Sequence, residues 1–243
     1  MENINNNSRR NFLKNSLMAS GGLILGFNWL SNETLAANII EQTTLENITS
    51  NAFLSIAPNG IITIFSPNPE IGQGIKTAFA MIVAEELNAD WKKVVVKQAN
   101  LDAKKYERQL TGGSGAIKHS WERLRKAGAT AKQLLVEAAA QKWSVNVSTC
   151  KAENGFVISS TGQKLSYGDL SEAASKLPIP QEVKLKKTEE FKLIGQTIKS
   201  VDNHDVITGK PVYGIDFKTE GMLHAQIQRP PAFGLKLKSF DAY

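Results

Sequence analysis

Two glycine-bearing stretches have residue types able to hold a ligand: Glu70-Ile71-Gly72-Gln73-Gly74 and Thr111-Gly112-Gly113-Ser114-Gly115. Glycine lets a backbone approach a ligand closely and turn through conformations closed to other residues. Each stretch precedes an apolar pattern of helical period, so free N–H groups and the positive end of a helix dipole favour an anion there. Gln73 adds an amide donor. Thr111 and Ser114 add hydroxyls beside N–H groups that can form a nest for phosphate oxygens. Plainer readings stand beside these: a glycine turn capping a helix for the first stretch, a flexible Gly/Ser linker for the second. Two anion-ready helix starts in one domain fit a large phosphorylated cofactor better than two unrelated turns. The candidate cofactor-binding residues are therefore Gly72, Gln73, Gly74, Gly112, Gly113 and Ser114.

Other chemistry is thin. His119, His204 and His224 lie far apart without metal-ligand spacing and read as surface or core residues. Glu85 and Glu86 are neighbours on a helix, pointing about 100° apart, which suggests one solvated and one packed carboxylate. There is no Gly-x-Ser-x-Gly elbow, Walker loop or complete dinucleotide fingerprint. Cys150, the sole cysteine, can form no internal disulfide and reads as a small buried hydrophobe.

The elements that must position the two stretches follow from pattern. Phe53–Pro58 and Ile61–Phe65 flank Asn59-Gly60, a strong hairpin signal. Ile75, Ala78, Phe79, Ile82, Val83 and Leu87 form one helical stripe, and Val94-Val95-Val96 reads as a buried strand, making a βαβ unit. A second helix is predicted from His119 to Trp143, its small residues permitting close packing. Asn154-Gly155 marks another turn between short strands, and Tyr167–Leu177 a short helix ended by Pro178. Residues 181–203 are charged and read as a linker between domains. From Val206 onward, glycines punctuate β-branched and aromatic runs, the mark of a β-rich second unit.

The formal charge of +6 is mild, and basic residues interleave with acids, which argues against a nucleic-acid groove. At the N-terminus, Ser8-Arg9-Arg10-Asn11-Phe12-Leu13-Lys14, a glycine-rich apolar run and Leu35-Ala36-Ala37 read as a twin-arginine export signal cleaved after Ala36 or Ala37. Residues 1–36 hold three basic and two acidic residues, so the remainder carries +5. That route carries folded, often cofactor-loaded proteins, which implies the twin-arginine translocase as a transient partner and a periplasmic location.

The stretch from Asn68 to Thr77, with Ile82-Val83-Ala84-Glu85-Glu86-Leu87, resembles the first molybdopterin-binding segment of the xanthine oxidase family's large subunits. So do Thr111–Ser114 and Arg125–Ala129. Val206–Asp216 and Gly221–Ala225 resemble the opening of that family's a/b hammerhead domain. Together with the leader, the order of motifs points to the isoquinoline 1-oxidoreductase β-subunit branch. The resemblance implies an α+β fold: a signal over residues 1–37, a linker over 38–51, the first part of a molybdopterin-binding domain over 52–180, a linker over 181–203, and a hammerhead beginning at 204–243.

It further implies a molybdenum hydroxylase acting on aldehydes or N-heterocycles, with water as oxygen source. The implied cofactor is molybdopterin cytosine dinucleotide with molybdenum. Electrons would leave through a partner subunit carrying [2Fe–2S] clusters, with a cytochrome c admitted as acceptor. Gln73 would lie near the metal's oxo ligand or the pterin, and Gly112, Gly113 and Ser114 along the phosphates. The family's general-base glutamate is expected beyond the end of this chain, so no catalytic residue is assigned and the chain reads as an N-terminal piece. The competing reading is a non-catalytic periplasmic small-ligand module on the same fold.

Export should depend on the guanidinium pair, because lysine lacks arginine's planar fork. Replacing Arg9 and Arg10 by lysine is expected to hold the precursor in the cytoplasm; undiminished periplasmic delivery would reject the leader.

Overall fold

In the computed structural model, which describes residues 23–26 and 52–241, Asn59-Gly60 closes a hairpin between β2 (Ala52–Ile56) and β3 (Ile62–Ser66). Gly60 takes φ +81°, its N–H donates to the Ala57 carbonyl at 2.8 Å, and Ser55 lies opposite Thr63. The strand β1 (Leu23–Gly26) pairs antiparallel with the other edge of β2; the rest of the expected leader lies outside the described residues. From β3 the chain crosses through α1 (Ile75–Leu87) to β4 (Val94–Gln98), which runs parallel to β3 with Ile64 opposite Val96. The expected βαβ unit is therefore present. Because β4 is an outer strand of the order β1-β2-β3-β4, its valines are only partly covered, and Val95 is 42% exposed, against the expectation of a buried strand.

A single turn, α2 (Ala103–Tyr106), precedes the long α3 (Ala116–Trp143), which starts three residues ahead of the expected His119. The stripe predicted for α1 is realised, with Phe79, Val83 and Leu87 fully buried in one core with Leu124, Leu134 and Leu135 of α3. The two helices touch backbone to backbone. A Cβ on Gly128 would run into the Val83 carbonyl oxygen, so only glycine fits there.

A second sheet, β5 (Cys150–Glu153), β6 (Phe156–Ser159) and β7 (Lys164–Ser166), is antiparallel, with Asn154 and Gly155 both left-handed in the first turn. Ser166 and Asp169 form a reciprocal capping box on α4 (Tyr167–Ser175). The Tyr167 hydroxyl, buried and pushed up from its ordinary pKa by that burial, donates to the Leu87 carbonyl at 2.6 Å and ties this layer to α1. Cys150 opens β5 half-buried rather than buried, because its strand lies at the periphery of the core.

The segment from Lys184 to Asn203 forms a strap on the first unit, which extends to Asn203. Glu85 and Glu86 hold it, and both are buried, correcting the expectation that one would be solvated. Glu85 accepts the N–H groups of Lys192, Leu193 and Ile194 at 2.9, 2.6 and 3.0 Å and pairs with the Lys186 ammonium. Glu86 accepts the Lys186 N–H at 3.1 Å and the Arg125 guanidinium at 2.7 Å. Arg125 in turn donates to the Lys186 carbonyl and lies over the edge-packed rings of Trp121 and Phe191, at 5.4 and 5.2 Å from their centroids. Neighbouring carboxylates can both be buried because the strap brings donors to one and α3 brings a cation to the other.

The second unit, His204–Tyr243, holds α5 (Asn203–Ile207) at its start and no strand among its described residues. Its β-prone residues find no ladder there, and Ile215 and Leu223 are 93% and 92% exposed. Strand propensity is realised only on a pairing partner with a face to bury, which explains the departure from the expected β-rich unit.

Glu85 supplies a pH test. Burial alone would raise its carboxyl pKa, but the Lys186 ammonium and the three strap N–H groups outweigh burial and hold it below the ordinary value. Its contribution is thus full above the unfolded carboxylate pKa and lost as pH falls through the lower folded value. Protection of the Lys192–Ile194 amides, their exchange measured against the intrinsic rate at each pH, should be high at neutral pH and fall in acid below about pH 4, the ordinary carboxylate range. Glu85→Gln should lower it already at neutral pH; protection indifferent to both would refute the carboxylate's role.

Candidate functional site

Both glycine stretches leave the carboxyl ends of the parallel pair, the first from β3 into α1 and the second from β4 by way of α2 into α3. In open α/β layers that edge is where ligands are received, since helix N-termini point there. The structure brings the two loops together. Asn68 is 1% exposed, and its amide donates to the Leu110 carbonyl at 2.8 Å. The Thr111 hydroxyl donates to the Pro69 carbonyl at 2.7 Å. Gln109 donates to the carbonyls of Pro67 and Asn100 at 3.1 and 3.0 Å, and Gln98 to that of Ser66 at 2.9 Å. Side-chain amides therefore bridge the strand ends.

The first loop differs from its expectation. Glu70 accepts the N–H groups of Gly72 and Gly74 at 2.8 and 2.9 Å through one oxygen, and that of Lys76 at 3.1 Å through the other. The N–H groups expected to be free for an anion are committed to this carboxylate. Partial burial would raise the Glu70 pKa, but the bonds from Gly74, Lys76, Gly72 and Gln73 hold it below the usual carboxylate value. Gln73 is folded onto its own loop, accepting the Ile71 N–H at 2.7 Å and facing the Pro69 carbonyl at 3.4 Å. Its residue is exposed, so the amide can turn outward at the cost of those bonds.

The second loop keeps its donors. Gly113 and Ser114 are left-handed at φ +62° and +53°, and the Gly115 N–H closes the turn on the Gly112 carbonyl at 3.4 Å. The N–H groups of Gly112, Gly113 and Ser114 have no partner among the described residues. Arg108 lies 2.6 Å from His119 Nε2 beside this turn, giving it a basic border. A Cβ built on Gly72, Gly74, Gly112 or Gly113 would meet nothing within 4 Å. These glycines, unlike Gly128, are not required by packing within the described residues; Gly72, Gly74 and Gly113 are required by their left-handed φ of +100°, +80° and +62°, and the space beside them is open. Open backbone, uncommitted donors and a basic border are what a phosphorylated cofactor needs.

Sequence reasoning named the glycines and missed the residues that organise them. Glu70 was legible in principle, as an acid two and four residues before the two glycines whose N–H groups it binds. Asn68, Gln98 and Gln109 carry no local signal for this role, because the partners through which they bridge the strand ends lie 31 to 42 residues away. Among the described residues no cluster of His, Cys, Asp or Glu could hold a metal ion. A separate cavity of about 780 Å³ lies near the far end of α1, lined by Asn88, Trp91, Lys92 and Lys192 among others and by none of the six candidates.

Residues 25–217 match the family model described as the molybdopterin cofactor-binding domain. The chain belongs to this family. Among its relatives, a protein named membrane-bound aldehyde dehydrogenase [pyrroloquinoline-quinone], from Gluconacetobacter polyoxogenes, is 34% identical over 96% of the chain and 31% of its own length. The beta subunit of isoquinoline 1-oxidoreductase from Brevundimonas diminuta is 28% identical over 96% of the chain and 35% of its length. A nicotinate dehydrogenase subunit from Pseudomonas putida is 33% identical over 75% of the chain and 15% of its length. The chain thus spans about a third or less of these relatives. Together they place it with the molybdenum-binding subunits of the xanthine oxidase family. Quinoline 2-oxidoreductase from Pseudomonas putida 86 superimposes on 49% of the chain and 15% of its own, with a TM-score of 0.40 and 20% identity.

The loop junction makes a local prediction for this family member. Thr111→Val removes the bond to Pro69 while keeping shape, and Asn68→Ala removes the bond to the Leu110 carbonyl; each should cost about 0.5–1.5 kcal/mol. Chemical denaturation with amide exchange at residues 69–74 checks both. Exchange there unchanged in both variants would show that the loops are not held by this junction.

Proposed function

We propose that this chain is the cofactor-binding portion of an exported molybdenum hydroxylase that oxidises aldehydes or N-heterocycles with water as oxygen source. The observation that carries the reading is the pair of stitched glycine loops, open where side chains would be, inside a chain of the molybdopterin cofactor-binding domain family. The relatives' names, which include an aldehyde dehydrogenase and oxidoreductases of isoquinoline and nicotinate, support the substrate classes.

In this reading Gly112, Gly113 and Ser114 receive the phosphates of molybdopterin cytosine dinucleotide through their N–H groups, with Arg108 and His119 adding basic character. Gly72 and Gly74 let the backbone approach the pterin end, and Gln73 turns outward to donate its amide. When bound, the group would supply two-electron oxidation with oxygen drawn from water, and the complete enzyme would include a partner carrying [2Fe–2S] clusters and an acceptor such as a cytochrome c. The twin-arginine leader takes the loaded complex to the periplasm, and residues 204–243 contribute to a hammerhead domain. None of the described residues is assigned as the catalytic base.

In the complete complex, Gln73→Ala should lower turnover about 10- to 100-fold with molybdenum content kept, the scale seen when a supporting contact to a metal site is lost. Gly113→Phe should lower molybdenum content itself, because it strains a left-handed position and fills the open space. Full loading and full turnover in both variants would reject the site.

A further inference from the structure

The two loops that meet at the carboxyl edge differ in charge. Around the first turn of α1 stand the Glu70 carboxylate, bonded to the N–H groups of Gly72, Gly74 and Lys76, and Asp202, 3.4 Å from the Lys76 ammonium. The strap holds Asp202 there, its Val201 N–H donating to Thr77 Oγ1 at 3.0 Å. Two negative charges and one positive thus surround the helix start, and the positive one is paired. At the second loop the N–H groups of Gly112, Gly113 and Ser114 are uncommitted, and the neighbouring charge is the Arg108 guanidinium beside His119. Glu107, the nearby acid in sequence, is occupied by Arg123 at 2.8 Å.

An N-terminal helix end attracts anions because its N–H groups lack partners and carry partial positive charge. At α1 an internal carboxylate meets that demand, and a fixed negative charge repels a second anion brought to the same donors. We propose that Glu70 is a specificity-determining residue, a built-in anion that shuts phosphate out of the first loop. A phosphorylated cofactor can then lie across the two loops in one direction only, with its pterin end against Gly72–Gly74 and its phosphates against Gly112–Ser114. The directional part rests on the cofactor reading above; the exclusion of anions by Glu70 does not.

The test uses the full chain labelled with ¹⁵N and titrated with inorganic pyrophosphate at constant ionic strength. In the wild type the amide resonances of Gly72, Gly74 and Lys76 should not respond. In Glu70→Ala they should shift saturably, with an apparent affinity on the order of tenfold or more above the wild type at those amides, equivalent to about 1.4 kcal/mol. Glu70→Gln keeps an acceptor oxygen and loses the charge, and should respond in the same sense where alanine disrupts the loop. Saturable wild-type shifts at Gly72, Gly74 and Lys76 overturn the proposal, as does an unresponsive first loop in a folded Glu70→Gln variant. The Gly112–Ser114 resonances score the cofactor reading separately: their response supports the stated direction, and their silence removes the direction while leaving the exclusion to be decided at Gly72–Lys76.

Discussion

The backbone contact between Gly128 of α3 and the Val83 carbonyl of α1 is the constraint on which the rest of the site depends. Each helix begins at one of the two glycine loops, so the distance and rotation between the helices set the distance and rotation between the loops. Packed apolar side chains alone would hold the helices at the usual separation of about 8–10 Å with some latitude. A glycine against a carbonyl removes that latitude. The buried Glu86–Arg125 pair lies within one turn of the same contact. Ion pairs of this kind add little net stability, and their better-attested use is in fixing register, which is what two cooperating loops require.

Glycine plays two opposite parts in this chain. Gly128 and Gly168 are required by what already touches them, since a Cβ at either would collide with backbone. Gly72, Gly74, Gly112 and Gly113 face open space. A glycine of the first sort is fixed by its neighbours; of the second sort, Gly72, Gly74 and Gly113 are fixed by their own left-handed backbone, and the open space beside them is what the cofactor reading uses. The family match rests on residues 25–217, a span that includes all four.

Much of the architecture was legible in the sequence because its signals are local. The Asn59-Gly60 turn, the helical stripe from Ile75 to Leu87 and the Asn154-Gly155 turn each depend on residues within a few positions of one another, and each is present. What was not legible is set by distant partners. The burial of both Glu85 and Glu86 needs a strap about a hundred residues away, and the linker reading of residues 181–203 could not foresee the carboxylates that hold it. The glycines of the site were visible as types and spacings, whereas Glu70's capture of their N–H groups depends on backbone angles that spacing does not give. Strand propensity after Val206 was real as a pattern but has no ladder among the described residues to express it.

The strap also bears on the order in which the unit assembles. The bonds from Glu85 to Lys192, Leu193 and Ile194 close loops of 107 to 109 residues, among the longest closures in the first unit. Closing a loop of that length costs chain entropy before any contact repays it, and contacts distant in sequence form slowly. The three donors converge on one carboxylate of α1, whereas the packing of α1 on α3 closes shorter loops, so by contact order the helix pair comes first. Seating the strap is then the late, latching step, and because it carries Asp202 to Lys76 it completes the surroundings of the first loop last.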